Sequence, residues 1–187
     1  MHIWLLAGNA GSGKTTAGII LHTLLAQSCM TAFAKKVKYC VALQNDFDLE
    51  LCETQEGKAS IVNGKTIRQL LIEYSLQQKQ LHTNAIWANY VKEEIMANPT
   101  VDWIIHDWRF LAEYETILTI PNAIVHTIRV HNPKVLGAQI PSERELDSFP
   151  MNILLNEGTM KSLRDKLVEL IDLSASRSNK VDEKIAQ

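Results

Sequence analysis

Long hydrophobic runs are missing from this chain of 187 residues, in which no stretch approaches the roughly 18 apolar residues that a bilayer-spanning helix needs. No transmembrane segment is expected. Cysteine is scarce: the three present, Cys29, Cys40 and Cys52, are odd in number and lack C-x-x-C spacing, which argues against a disulfide framework or a zinc site and for a reducing compartment. An excess of charge of one sign is absent too. With 19 Lys and Arg against 21 Asp and Glu, the net charge of -2 gives no electrostatic footprint for nucleic acid or an anionic membrane, so any phosphate binding has to be local. The six histidines form no metal-ligand pattern. Met1 leads directly into Ile3-Trp4-Leu5-Leu6-Ala7 without the basic and long apolar regions of a signal peptide. A soluble, cytoplasmic protein is the expectation. There is no internal repeat or low-complexity tract.

What is present is ordinary for a folded domain: 46% hydrophobic and 21% charged residues over a length that suits one core. The pattern opens as a strand over His2 to Ala7, a glycine-rich turn, and a helix from about Gly13 to Gln27 whose apolar residues recur at helical spacing. Thr31 to Ala34 reads as a second strand and Lys35 to Leu43 as helical. Asn45 to Gly64 is polar and irregular, with a turn at Asn63-Gly64, and two helices occupy about Thr66 to Gln80 and Asn84 to Ala97. Val101 to His106 suits a buried strand, Leu111 to Leu118 a helix, Ala123 to Val130 a strand and Asn152 to Leu155 a last short strand. Asn132 to Pro150 holds three of the five prolines and reads as a mobile covering segment. Thr159 to Leu173 is an amphipathic helix, and residues 174–187 read as a frayed polar tail. One domain over residues 1–173 is expected, with a central parallel sheet covered by helices on both faces in three α/β/α layers. Ligands bind such sheets at the C-terminal ends of the strands.

At the first such end, Gly8-Asn9-Ala10-Gly11-Ser12-Gly13-Lys14-Thr15 satisfies G-x-x-x-x-G-K-[ST]. In this pattern, successive backbone N–H groups curl around phosphate oxygens and the following helix contributes its positive end. The ATP-binding set is therefore Asn9, Ala10, Gly11, Ser12, Gly13, Lys14, Thr15 and Thr16. Lys14 is assigned to the β- and γ-phosphates and the Thr15 hydroxyl to Mg²⁺. A second motif is a decoy: Asn179-Lys180-Val181-Asp182 matches the guanine-reading N-K-x-D, but it lies in the tail and no D-x-x-G occurs in the chain.

A small phosphate-transferring enzyme also needs an acceptor site, because in-line transfer is catalysed mainly by positioning and charge neutralisation. Asp107 and Arg109, at the exit of a buried strand, are expected to face the loop, the acid holding Mg²⁺ and the base neutralising phosphate. Asp102 precedes the same strand and should fall at the opposite end of the sheet. Lys35, Lys36, Lys38, Arg68 and Lys79 are further basic candidates, each also open to being a solvated surface charge.

Five stretches carry a resemblance to a known family. They are the phosphate loop; Phe33-Ala34-Lys35-Lys36-Val37-Lys38; Ile67-Arg68-Gln69-Leu70-Leu71 with Trp87 downstream; Asp107-Trp108-Arg109-Phe110 with Glu113; and Ser142-Glu143 followed by Ile153-Leu154-Leu155-Asn156-Glu157-Gly158-Thr159. Together they resemble the deoxynucleoside monophosphate kinases of bacteriophages and large DNA viruses, relatives of the adenylate kinase-like P-loop kinases. The resemblance implies a helical acceptor region over about 35–97 and a short lid over about 132–150. It implies ATP and Mg²⁺ as cofactors, and host-cell cytoplasm as the compartment if the source is viral. It places Lys35, Lys36, Lys38, Arg68 and Arg109 around the acceptor monophosphate, and Trp87 and Glu113 near its sugar or base. Asn156, Gly158 and Thr159 go against the adenine of ATP. Where the family has G-T-[DE]-x-x-R, this chain reads Tyr74-Ser75-Leu76-Gln77-Gln78-Lys79, so Lys79 stands in the arginine's place and cannot repeat a bidentate grip.

On this reading the catalytic set is Lys14, Asp107, Arg109, Arg129 and Arg144, the metal set is Thr15 and Asp107, and the partners are ATP and a nucleoside monophosphate, with no nucleic acid or membrane. A homodimer is left open. Trp87 is equally open to a core position, and Thr159 to a helix N-cap. The rivals are a P-loop kinase of another small phosphorylated metabolite and a nucleotide-binding ATPase or sensor without an acceptor.

Overall fold

The computed structural model describes residues 1–135 and 145–185, with side chains in the last helix as far as Ser174. The elements in chain order are β1 (His2–Ala7), α1 (Lys14–Leu24), β2 (Ser28–Thr31), α2 (Lys35–Asn45), a 3₁₀ turn (Leu49–Cys52), α3 (Gln55–Ala59), β3 (Ile61–Val62), β4 (Lys65–Thr66), α4 (Ile67–Leu81), α5 (Ile86–Ala97), β5 (Asp102–Ile105), α6 (Leu111–Leu118), β6 (Ile124–His131), β7 (Asn152–Leu155) and α7 (Met160–Ile185). Five strands form one sheet in the order β2-β5-β1-β6-β7, and every neighbouring pair is parallel.

Side chains alternate across a strand, so β1 has to be apolar on both faces to be covered on both. It is. Ile3, Leu5 and Ala7 join Trp103 and Ile105 of β5 against Ala88, Val91 and Ile95 of α5 and Ile117 of α6. Trp4 and Leu6 face the other way, with Ile128, Val130 and Leu154, against Ala17, Ile20 and Leu21 of α1 and Leu163 and Leu167 of α7. This is the expected three-layer arrangement, and it puts the end of β1 at the middle of the sheet's C-terminal edge. A smaller apolar cluster, Val37, Val41 and Trp87 with Leu70, Leu71 and Tyr74, ties α2, α4 and α5 into the helical region expected between residues 35 and 97.

Local signals explain the shorter pieces. Asn63 and Gly64 both have positive φ, 52° and 78°, the requirement of the two-residue turn that joins β3 to β4. Thr66 and Gln69 exchange hydrogen bonds in a capping box at the start of α4.

Three boundaries differ from the sequence reading. The second strand is Ser28–Thr31 rather than Thr31 to Ala34, because the N–H groups of Phe33 and Ala34 are taken by the Asp107 carboxylate and cannot pair in a ladder. The stretch read as irregular between Asn45 and Gly64 carries the 3₁₀ turn, α3 and β3. The last helix runs through the expected tail as far as Ile185, so the N-K-x-D decoy at 179–182 lies on helical backbone and not at a strand end. Of the lid segment, residues 136–144 lie outside the described residues. Its C-terminal flank is anchored, with Leu146 buried in the core and Phe149 edge-on to both Trp108 and Tyr114.

Candidate active site

The phosphate loop leaves β1 with no room for side chains. Gly8 has φ 141°, and a Cβ there would come within 2.3 Å of the Val130 carbonyl oxygen on β6. Gly13 has φ 98°, and a Cβ there would meet Asn156 Nδ2 at 2.3 Å. Backbone blocks a side chain at Gly8, and at Gly13 the positive φ strains any L side chain and a Cβ would displace Asn156, so both positions favour glycine. Asn156 braces the loop from the far side: its Nδ2 donates to Ser12 O at 2.9 Å while its backbone N–H donates to His131 O at 2.8 Å. The side chain expected against the adenine is thus held at the phosphate loop itself.

Several features of the loop suit an anion. Helix α1 begins immediately after Gly13 with no side-chain cap and no acidic residue in its first turn, so its positive end is uncompensated from within the helix. The Ser12 hydroxyl is buried without a hydrogen-bond partner among the described residues. Lys14 folds back over the loop and donates from Nζ to Gly8 O at 2.7 Å and Asn9 O at 2.8 Å. Thr15, the expected magnesium ligand, is exposed on the first turn and Thr16 half-buried beside it. Gly158 and Thr159 come just before α7, where Thr159 Oγ1 accepts from Ser162 N at 3.2 Å, a helix N-cap interaction.

Across the strand ends, Asp107 follows β5 and spans toward β2. Its Oδ1 accepts from Phe33 N at 2.8 Å and its Oδ2 from Ala34 N at 3.0 Å, so this carboxylate fixes the start of α2. Each oxygen retains acceptor capacity for a metal-bound water. Arg109 is exposed, and its guanidinium has no hydrogen bond or ion pair among the described residues. Asp102 opens β5 at the other end of the sheet, accepting from His2 N at 2.7 Å.

Glu113 is buried, with 5% of its surface exposed, and its Oε2 accepts from the N–H groups of Arg109 at 2.9 Å and Phe110 at 3.0 Å. Burial, followed by the nearby Asp107 charge, pushes its carboxyl up to about 8. It holds the Asp107 to Phe110 turn from behind, where the resemblance puts it near the acceptor's sugar or base. Trp87 is 5% exposed within the α2/α4/α5 cluster, the core position that the sequence also left open for it. Lys79 does reach this region, with Nζ 3.8 Å from the centroid of the Phe110 ring. Burial pulls its ammonium below the usual lysine value, against the opposing charges of Glu113 and Glu145.

No protein-family model matches the chain, and no curated protein matches it by sequence. Solved structures do. TT1252 from Thermus thermophilus superposes with a TM-score of 0.51 at 17% identity, over 91% of this chain and 96% of that one. An unliganded sugar kinase from Janibacter sp. HTCC2649 gives 0.47 at 14% identity, over 91% and 94% of the two chains. Shikimate kinase from Acinetobacter baumannii in complex with shikimate gives 0.46 at 13%, over 92% and 93%. The Thermus likeness is one of fold, spanning nearly all of both chains.

The remaining basic residues divide into two groups. Lys35 pairs with Glu94 at 2.6 Å, and Lys36 Nζ lies 5.5 Å from the ring centroids of both Tyr39 and Tyr90. Lys38 bonds both Glu53 oxygens, at 3.0 and 2.8 Å, and Arg68 donates to Gln55. Lys58 joins the second group unannounced by any motif. Burial, and then Lys38, pulls its ammonium down, with Arg68 adding to the effect and Glu53 opposing it. Lys58 thus lies between two other cations, Lys38 and Arg68, with the Glu53 carboxylate close by.

Arg129 is tied elsewhere: Nη1 donates to Asp147 Oδ1 at 3.1 Å and Nη2 to Leu146 O. It fastens the flank at residues 146–147 to β6. Arg144 lies outside the described residues. Two cavities flank the β2-α2 junction, of about 380 Å³ and about 170 Å³, sharing Ala32, Lys35 and Leu49 as a common wall.

Proposed function

We propose that this chain is an ATP-dependent (deoxy)nucleoside monophosphate kinase, moving the γ-phosphoryl group of ATP to a monophosphate acceptor to give ADP and the diphosphate. The observation that carries the reading is the phosphate loop, whose glycines at 8 and 13 have no space for a Cβ and whose helix begins with an uncompensated positive end. Such a cradle suits a polyphosphate held by backbone N–H groups. Asp107 and Arg109 supply acid and base at the end of β5, which is hydrogen-bonded to β1 in the sheet. The Thr15 hydroxyl and the Asp107 carboxylate are hard oxygen donors of the kind Mg²⁺ takes, and when bound the ion would neutralise phosphate charge. Lys14 is the residue for the β- and γ-phosphates, and Arg109, exposed and without a side-chain partner among the described residues, is a candidate for the transferring group. The acceptor oxygen attacks the γ-phosphorus as the bond to the β-phosphate oxygen breaks, so no covalent enzyme intermediate is involved.

A second reading, a kinase of another small phosphorylated metabolite, is favoured by one observation: Trp87 and Glu113, expected at the nucleoside, are core and cap. The deciding experiment is an ADP-release assay over all the natural nucleoside and deoxynucleoside monophosphates. ADP formation dependent on at least one of them supports the first reading, and silence with every one overturns it in favour of the second. Lys14→Ala should lower turnover by at least about a hundredfold, the scale of losing one charge stabiliser of the transition state. Near-normal turnover would sink the mechanism.

A further inference from the structure

Asn156 follows β7 directly, and its backbone is fixed at both ends of one peptide. The Leu155 carbonyl oxygen accepts from Lys166 Nζ at 2.9 Å, and the Asn156 N–H donates to His131 O at 2.8 Å. The side chain is therefore aimed before any ligand arrives, which is what a positioning group requires. Its Nδ2 donates to Ser12 O at 2.9 Å and stands where a Cβ at Gly13 would fall. A strand end at the far edge of the sheet thus grips the phosphate loop at a single peptide, the one between Ser12 and Gly13.

That peptide needs an outside restraint. Glycine lacks the Cβ that confines other residues to a few backbone conformations, so the bonds on either side of Gly13 do not fix the plane of the peptide before it. A trans peptide is planar, with its C=O and N–H pointing in opposite directions. Holding Ser12 O against Asn156 therefore turns the Gly13 N–H away from Asn156. This N–H makes no hydrogen bond among the described residues, and Gly13 is the N-cap residue of α1, directly ahead of the uncapped first turn. Ser12 is 2% exposed, so water does not readily take the place of the Asn156 amide, and the Ser12 N–H is already committed to Asn9 O at 3.1 Å.

We propose that Asn156 is a positioning residue for the donor triphosphate: by holding the Ser12 carbonyl it sets the Gly13 N–H to donate to a phosphate oxygen, and its effect falls on the phosphates whatever base they carry. The proposal rests on the reading of the loop as a triphosphate cradle and is independent of the identity of the acceptor. It gives Asn156 a different task from a contact with adenine, and the two tasks separate when the phosphates are offered without a nucleoside.

The test uses the full chain with Mg²⁺ and two probes, ATP and inorganic tripolyphosphate, whose binding is measured by calorimetry. Asn156→Ala should weaken both probes by the same factor, roughly tenfold, the scale of one lost hydrogen bond. Asn156→Asp keeps the size and shape of the side chain but replaces the N–H donor with a carboxylate, which only accepts and so repels both Ser12 O and the phosphates. It should weaken both probes at least as much, and it guards against an alanine variant that fails to fold. In a turnover assay the KM for ATP should rise by the same factor while the KM for the acceptor stays unchanged, a split that general damage to the fold would not give. Wild-type affinity for tripolyphosphate in the variants overturns the proposal and leaves the donor reading standing. A loss confined to ATP assigns Asn156 to the nucleoside and overturns it as well, as does a wild type that binds ATP alone. If wild type binds neither probe, the donor reading itself falls and the proposal with it.

Discussion

At the scale of single residues, Glu113 shows how burial overrides what a motif assigns. An acid three residues past Phe110 invites a contact with substrate, yet its carboxyl is spent on the N–H groups of Arg109 and Phe110. Leaving those amides bare would cost about 1–3 kcal/mol each. The same burial raises its proton affinity from the ordinary value of 4.5 to about 8, with Asp107 pushing the same way and Lys79 and the two amides opposing. Between those limits the folded protein retains a proton that the unfolded chain has released, so stability falls as pH rises through the window. Glutamine at this position keeps an acceptor oxygen for both amides and cannot ionise. Urea unfolding between pH 6.5 and 8 should therefore show a declining stability in wild type and a flat one in Glu113→Gln. A decline that persists in the variant would assign it to other groups. The positive cluster around Lys58 shows the same limit of sequence reading from the other side. Lys38 and Arg68 stood in recognisable segments, but Lys58 came from a stretch with no periodicity, and only the fold of the 3₁₀ turn and α3 brings it to them.

Among the elements, β1 carries the phosphate loop at one end and a histidine pair at the other. His2 Nδ1 and His126 Nε2 are 2.8 Å apart, and His126 stacks on Trp4 at a centroid distance of 4.1 Å. Burial first, and His2 second, pull His126 down to about 4 from 6.5, with Asp102 pulling the other way. Here the unfolded chain takes the proton before the folded one does. Stability is unaffected by this group above pH 6.5 and declines as pH falls toward 4, opposite in sign to the Glu113 effect. His126→Phe should flatten the acid limb of a stability–pH profile between those values while leaving the affinity for ATP unchanged, since the pair lies at the sheet end remote from the loop. An acid limb of unchanged steepness would show that carboxylates elsewhere produce it. The strand that carries this pair was legible because six residues alternate onto two buried faces. The edge strand β2 was not: its residues are only half-buried apart from Thr31, whereas the adjoining Ala32 and Phe33 are buried without being strand. Apolar character followed burial there, not hydrogen bonding, and the reading slipped by three residues. The last helix was cut short for the mirror-image reason, since beyond Leu173 the sequence turns polar while the backbone remains helical.

For the whole molecule, the order β2-β5-β1-β6-β7 is what turns separate motifs into one site. The chain order of strands could be read along the sequence, but their lateral order is a matter of pairings a hundred residues apart, as between His2 and Ile124. That order sets the loop centrally, with β5 and β2 delivering Asp107, Arg109 and the two cavities on one side, and β6 and β7 delivering Gly8's close neighbour Val130 and the Asn156 brace on the other. A ligand in the loop therefore bears on β1, β6, α1 and the end of β7 at once. Binding to the folded state alone adds about 2.7 kcal/mol at a ligand concentration a hundred times its dissociation constant. For a chain of this length that corresponds to a rise in Tm of roughly 5–10 °C. A non-hydrolysable ATP analogue with Mg²⁺ should produce such a rise in a calorimetric scan, and Lys14→Ala should abolish most of it. If the unfolding temperature of wild type does not move at any concentration up to millimolar, the loop holds no nucleotide and the donor half of the site is lost.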